Sequence, residues 1–329
     1  MRHIPATAPT GSVAGAVLEM ISDMANWVTY VVVPEDGVHE MYESRFGAVG
    51  LDLDLLAGPE VVLPLVRARD RVQGHWRDDQ ACEAAALIDL SRRTLLLFAW
   101  EGPITQMRHR AAVWEALRHA WPGWELRWTF DGPADLRVCL GLDPEDVRWR
   151  GRSLCPEFAM DLDDEELADP DPMIRVVTVG ADRCHVLSGV NDHPIVEGPA
   201  LLDRLTDAPD HGVCAVTAGS GIHVDPERRR VGWWLLDATA GAGGMATRWP
   251  GWTVEFWEDR WEEHVRAAAG RFAPPAVDRE QALAELRAEA REHWSRREPD
   301  PLRGWMQAAA PDVADAVLRR DGWPGPGRG

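Results

Sequence analysis

Lysine is absent from this chain: all 35 of its basic residues are arginine. A phosphate-loop ATPase relies on the lysine that closes its glycine-rich motif, a protein kinase on a strand lysine, and Schiff-base and pyridoxal-phosphate enzymes on a reactive amine. None of these can operate here by its usual route. Long apolar runs are missing as well. No stretch approaches the roughly 18 residues of a membrane helix, and the mild run Val13 to Ile21 is broken by Glu19 and lacks a cleavage-like end. The expectation is a cytoplasmic protein with no membrane partner.

Cysteine is sparse. Cys82, Cys139, Cys155, Cys184 and Cys214 are odd in number and contain no Cys-x-x-Cys pair, so they read as reduced, mostly buried thiols and not as a disulfide framework or a thiolate zinc site. The 11 histidines include no His-x-x-x-His pair on an expected helix. The acidic run from Asp161 fails as a calcium loop, with Glu166 where the sixth position needs glycine and Pro172 where the twelfth needs glutamate. No metal and no cofactor is predicted.

Charge of one sign is in deficit. A net charge of −19 repels nucleic acid and favours a basic protein partner, although acidity also serves simple solubility. At 329 residues and 45% hydrophobic content the chain has room for about two domains.

What is present is a duplication. Trp121-Pro122-Gly123-Trp124 recurs as Trp249-Pro250-Gly251-Trp252, Ile88 to Leu95 aligns without a gap on Val224 to Val231, and Gly58-Pro59 matches Gly198-Pro199. In each tetrapeptide proline presets φ at the second turn position and glycine accepts the positive φ of a type II turn at the third. Each copy opens with a hairpin, Val28–Val33 to Val38–Glu43 around Asp36-Gly37, and Ile174–Val179 to Arg183–Leu187. Gly-Pro then opens a short segment, Glu60–Val66 kept short by Pro64, and Ala200–Leu205. A second hairpin follows, Ala84–Ile88 to Thr94–Trp100 and Val213–Val224 to Arg230–Leu236. Copy one adds a helix over Ile104–Ala120, where copy two has only the glycine-rich Thr239–Gly244. Beyond the tetrapeptide an alternating strand closes each copy.

The reading is α+β: two tandem copies of a mainly antiparallel β-sheet module of about five strands with packed helices, plus a C-terminal helical extension. Its boundaries are an N-terminal segment read as helical (1–25), module one (26–142), an acidic linker (143–171), module two (172–270) and C-terminal helices with a frayed tail (271–329). Asp278 is placed as the N-cap of the first C-terminal helix, with Gln281 at the capping-box position, and a second helix is placed near Pro311–Arg320.

No segment spells out a reaction, and the chain reads as more a binder than an enzyme. Cys184-His185 cannot form a dyad, because consecutive strand residues diverge. Thr217 to Gly221 lacks hydrolase-elbow spacing, and Gly241 to Gly244 lacks a dinucleotide fingerprint. The matched hairpin tips, Asp89 with Arg92 and Arg93, and Asp225 with Arg228 and Arg229, are candidate binding residues for a carboxylate or phosphate. The competing reading is that each aspartate bonds its own turn and the arginines are solvated. Seventeen tryptophans against two tyrosines add Trp233 and Trp234, neighbours that must point to opposite faces of a strand. The leading expectation is a non-enzymatic protein that captures a basic protein, of the kind an immunity or antitoxin-like neutraliser would be. The alternatives are an enzyme or small-molecule binder with an Asp/Arg-lined site between the repeats, and a scaffold component.

Overall fold

The computed structural model describes residues 26–150, 174–188 and 193–296. The expected N-terminal helix, most of the acidic linker, the helix near 311–320 and the tail lie outside the described residues.

Module one is built from β1 (Val28–Val33), β2 (Glu40–Ser44), α1 (Leu51–Leu55), α2 (Pro59–Arg67), β3 (Asp70–Val72), β4 (Ala84–Asp89), β5 (Thr94–Ala99), α3 (Met107–Ala120), β6 (Glu125–Trp128) and α4 (Pro133–Cys139). Module two follows with β7 (Ile174–Val179), β8 (Arg183–Ser188), α5 (Leu201–Arg204), β9 (Ser220–Asp225), β10 (Arg230–Leu235), β11 (Thr253–Phe256) and α6 (Trp261–Ala267), and α7 (Arg279–Arg296) comes last. The sheets run β3-β2-β1-β4-β5-β6 and β11-β10-β9-β7-β8. Apart from the extra edge strand β3 they are the same sheet twice.

The two-sheet α+β architecture stands, and each sheet is mixed, with parallel joins among its antiparallel pairs. β1 lies parallel to β4 and β5 parallel to β6, and in the second copy β7 lies parallel to β9 and β10 to β11. The cause is connectivity. Parallel neighbours need a crossover, and α1 with α2, α3, and the short helices of module two are those crossovers. Pro64 does not end its helix, which runs on to Arg67. In module two the counterpart of α3 is a 3-10 helix, Ala242–Arg248, entered through Gly241 in the left-handed region. The second hairpin there is shorter than expected, because only Ser220–Asp225 is strand. The preceding residues are held instead by Cys214, which is bonded to Cys184 on β8 across a sequence separation of 30. That disulfide overturns the expectation of reduced thiols at those two positions; Cys82 and Cys139 are free.

The Trp-Pro-Gly-Trp repeat performs one task twice. Gly123 and Gly251 take φ of 76° and 78°. Each first tryptophan is buried and donates its indole N–H inward, Trp121 to the Leu55 carbonyl at 2.7 Å and Trp249 to the Ile195 carbonyl at 2.9 Å. The paired rings meet edge to face, with centroids 4.9 and 5.1 Å apart.

Each sheet is covered on both faces. Leu95, Leu97, Val113, Leu117 and Trp121 build one core of module one, which α7 joins through Leu283, Leu286, Ala290 and Trp294. Asp278 caps α7 by accepting from the Gln281 N–H at 3.0 Å, while the Gln281 side chain turns to Glu285, so the reciprocal half of the capping box does not form. In module two Val224, Val231 and Trp233 pack inward with Trp249, while Val176, Trp234 and Phe272 form a second core on the other face. Residues 143–150, assigned to the linker, pack on module one, with Val147 buried and Arg148 bridging to Asp131 at 2.6 Å. Among the described residues no helix is long and apolar enough to cross a membrane.

The modules are tied by Arg110 of α3, which is 2% exposed. It donates to the Leu236 carbonyl at 2.7 Å and to Asp259 at 2.9 Å, both in module two, and its guanidinium sits 4.3 Å from the centroid of the Trp128 ring. Trp128 donates to the Asp237 carbonyl at 2.8 Å.

Candidate functional site

The register makes the two copies comparable position by position. In module one Val31, Leu87 and Leu96 sit side by side across β1, β4 and β5. In module two the same row is Thr178, His223 and Gly232. Five residues after each last strand begins a seven-residue helix, and its fourth residue is Leu136 in α4 but His264 in α6. Phe98 of β5 corresponds to Trp234 of β10. Where module one buries Val31, Leu87, Phe98 and Leu136 in an apolar cluster, module two buries a polar chain.

That chain is continuous. Trp234 Nε1 donates to His264 Nδ1 at 3.0 Å, His264 Nε2 lies 2.7 Å from Thr178 Oγ1, and Thr178 Oγ1 lies 2.9 Å from His223 Nδ1. Its direction is set at the buried end, because an indole can only donate. His264 Nδ1 must accept, so its proton is on Nε2 and is given to Thr178. Thr178 then gives its own proton to His223 Nδ1. His223 is left with its proton on Nε2, the atom with no hydrogen-bond partner among the described residues. Burial holds the His264 imidazole well below the ordinary histidine range, with the His223 ring adding to the effect, and burial also lowers His223 against the opposing pull of Asp225.

Two glycines make room for this arrangement. A Cβ on Gly221 would come within 2.7 Å of both His264 Nδ1 and Trp234 Nε1, and one on Gly232 within 1.9 Å of the Trp257 ring. The counterparts in module one are Ala85 and Leu96.

His223 lines a cleft of ≈ 480 Å³ together with Gly232, Trp257, Glu255 and the Glu263 and Arg266 side chains of α6, and with Asp225, Arg228 and Arg230 at its rim. The carboxylates there are already engaged. Asp225 accepts from the Arg228 backbone N–H at 3.0 Å and from its Nη1 at 2.8 Å, Glu255 pairs with Arg230, and Glu263 lies 2.6 Å from Arg266. The Arg228 hydrogen bonds hold the Asp225 carboxyl below the usual range, and Arg230 does the same for Glu255.

Of the residues expected to bind, Asp225 and Arg228 line this cleft. Arg229 has φ 48° and, like its counterpart Arg93 at φ 50°, reaches toward the glycine of its own tetrapeptide turn. Asp89 is buried and accepts from Arg92 N–H at 2.9 Å, and Arg92 is solvated. Each tip is bonded within its own hairpin, and no hydrogen bond or ion pair among the described residues joins the two tips. Trp233 and Trp234 point to opposite faces, and both are fully buried, Trp233 stacked on Phe256 at 4.2 Å. Neither ring is presented to a ligand. A cleft between the repeats does exist, ≈ 540 Å³, at the place in module one equivalent to the His223 cleft. Its charged lining is Arg118, Arg127, Asp135, Glu258 and Asp259, not the hairpin-tip residues. Cys184 is in the disulfide, and the His185 ring bonds the Pro209 carbonyl at 2.8 Å, so these neighbours form no dyad. Among the described residues no three metal-ligating side chains gather as a cation would need.

Thr178, His223 and His264 escaped sequence reasoning because they lie far apart in the chain. The signal was a polar residue in one copy facing an apolar residue in the other. Comparisons with protein-family models, with curated proteins and with solved structures find no match for the chain.

Proposed function

We propose that the protein is a non-enzymatic binding protein whose recognition site is the His223 cleft of module two. The observation that supports this is the direction of the Trp234–His264–Thr178–His223 chain. A general base must offer a lone pair to substrate, and a general acid must give up a proton near neutral pH. The chain opposes both. Turning His223 to expose a lone pair would place two donors on Thr178 and strand its buried hydroxyl proton, at a cost of about 1–3 kcal/mol. Protonating the ring would do the same and is resisted by burial. A neutral imidazole with a fixed Nε2–H is suited to donate a hydrogen bond to a bound acceptor.

Long-range nitrogen–proton NMR correlations on the histidine rings test this. The expected pattern at pH 7.5 is a protonated Nε2 and an unprotonated Nδ1 for His223. A ring protonated at Nδ1 alone, or titrating near pH 7, would return His223 to the role of catalytic base.

A second reading concerns the exterior of the molecule. The net charge of −19 supports capture of a basic protein, as in an immunity or antitoxin-like neutraliser. Its test is a partner isolated with the chain: the expected partner is basic and its affinity falls steeply with ionic strength, and an acidic or salt-insensitive partner counts against it.

A further inference from the structure

We propose that the His223 cleft takes an oxyanion, a carboxylate or phosphate group carried by a small molecule; this rests on the reading of the cleft as a binding site. A ligand entering the cleft meets donors. His223 offers Nε2–H at the floor. Arg228, Arg230 and Arg266 stand around it, and each uses only part of its fork of N–H groups on a neighbouring carboxylate. The carboxylates that would attract a cation are engaged: both oxygens of Asp225 accept from Arg228, Glu255 accepts from Arg230 and lies 3.5 Å from Trp257 Nε1, and Oε1 of Glu263 lies 2.6 Å from Arg266 and 3.7 Å from Arg260. They hold the guanidinium groups in place, and the unused N–H groups of the three forks and of His223 are in excess over the acceptor unengaged among the described residues, Glu263 Oε2. A bidentate oxyanion is the group that uses such a lining fully.

Trp257 adds shape. Its ring lies over the backbone of β10 because position 232 carries no side chain, and it presents an apolar wall beside the arginines. A flat acid, its ring against Trp257 and its oxygens toward His223 and the arginines, fits better than a bare ion.

The experiment titrates the full chain with inorganic phosphate and, separately, with benzoate, and follows the His223 Nε2 resonance. Both probes should shift it saturably, benzoate with a dissociation constant of about 1 mM or tighter. His223→Leu should abolish the response at the remaining cleft signals, His223→Gln should retain binding through its amide N–H, and Arg230→Gln should weaken it about threefold or more. Absence of a saturable shift with either probe, or equal affinity in His223→Leu and the unaltered protein, overturns the proposal. So does tighter binding of guanidinium ion than of benzoate. The two readings fail separately. If His223 shows the Nε2–H tautomer but neither oxyanion binds, the ligand class falls and the binding cleft stands, whereas a reversed tautomer removes the cleft reading itself.

Discussion

Replacing the polar chain of module two by its counterparts from module one gives the combined variant Thr178→Val, His223→Leu, Trp234→Phe and His264→Leu. Because the same fold already carries those four residues in its first half, the exchange asks whether the polar chain serves the fold or a ligand. Thr178→Val alone removes a fully buried hydroxyl that holds two hydrogen bonds. It strands His264 Nε2–H in the core and His223 Nδ1 at its edge, and a buried unsatisfied group costs about 1–3 kcal/mol. The single variant should therefore lose about 3 kcal/mol. The combined variant leaves no stranded group. Exchanging all partners of a buried polar set for apolar groups of similar shape is close to neutral, and Trp234→Phe opens a small void worth about 1 kcal/mol. Four substitutions should thus cost less than one, leaving the protein within about 1 kcal/mol of its starting stability. Urea denaturation at pH 8, where the histidines are neutral in both states, reads this directly, with a constant slope required for the comparison. If the combined variant falls as far as Thr178→Val or further, the polar chain stabilises the fold and the argument for a site fails.

Three further outcomes follow from the buried groups. The imidazoles of His193 and His264 are held well below the ordinary range by burial, so below pH 6.5 the unfolded chain takes up two protons that the folded one refuses. The contribution of these two groups to stability should be flat above that pH and fall by up to about 2.7 kcal/mol per pH unit below it, and the His264→Leu exchange should remove half of that contribution, read as the difference between the two proteins' pH profiles. Asp52 shows the opposite sign. Burial pushes its carboxyl up to about 7, so the folded state holds a proton that the unfolded state releases near pH 4, and the Asp52 contribution should decline between these values by up to about 4 kcal/mol, read in urea titrations as a gain of Asp52→Asn over the unaltered protein that grows from pH 4 to pH 7. Reducing the Cys184–Cys214 bond, or replacing both residues by serine, should cost about 3–4 kcal/mol from the 30-residue loop it closes, read as a lowered urea midpoint; an unchanged midpoint argues against the bond.

Much of the fold was legible because local chemistry marked it. Asp-Gly and Trp-Pro-Gly-Trp announce turns whatever surrounds them, and Leu283, Leu286 and Ala290 fall on one helix face. The parallel joins were not legible: an apolar run such as Ala84 to Ile88 looks the same beside either neighbour, and only the path of the intervening helices decides. Cys184 and Cys214 carry no spacing signal, since their bond depends on how β8 meets the segment before β9. Asp225 and Arg228 were found through the repeat. The residue beneath them, His223, was not, because its meaning comes from Thr178 and His264, each brought to it by a different element. Trp234 drew notice for its size, yet its part in the site comes from one N–H.

Arg110 belongs to module one, yet two of its three hydrogen-bond acceptors, Leu236 and Asp259, lie in module two, and the side chain is buried where the two modules meet. Removing Leu236 and Asp259 while the side chain stays buried would leave a cation without its counter-charge, a condition proteins do not tolerate cheaply. The halves are joined by an ionic contact at Arg110 and by the Trp128 hydrogen bond. The joint at Arg110 is therefore one-sided: module one supplies the cation and module two the acceptors across it, so the two copies differ in what they give to each other as well as in the row that holds Thr178, His223 and His264.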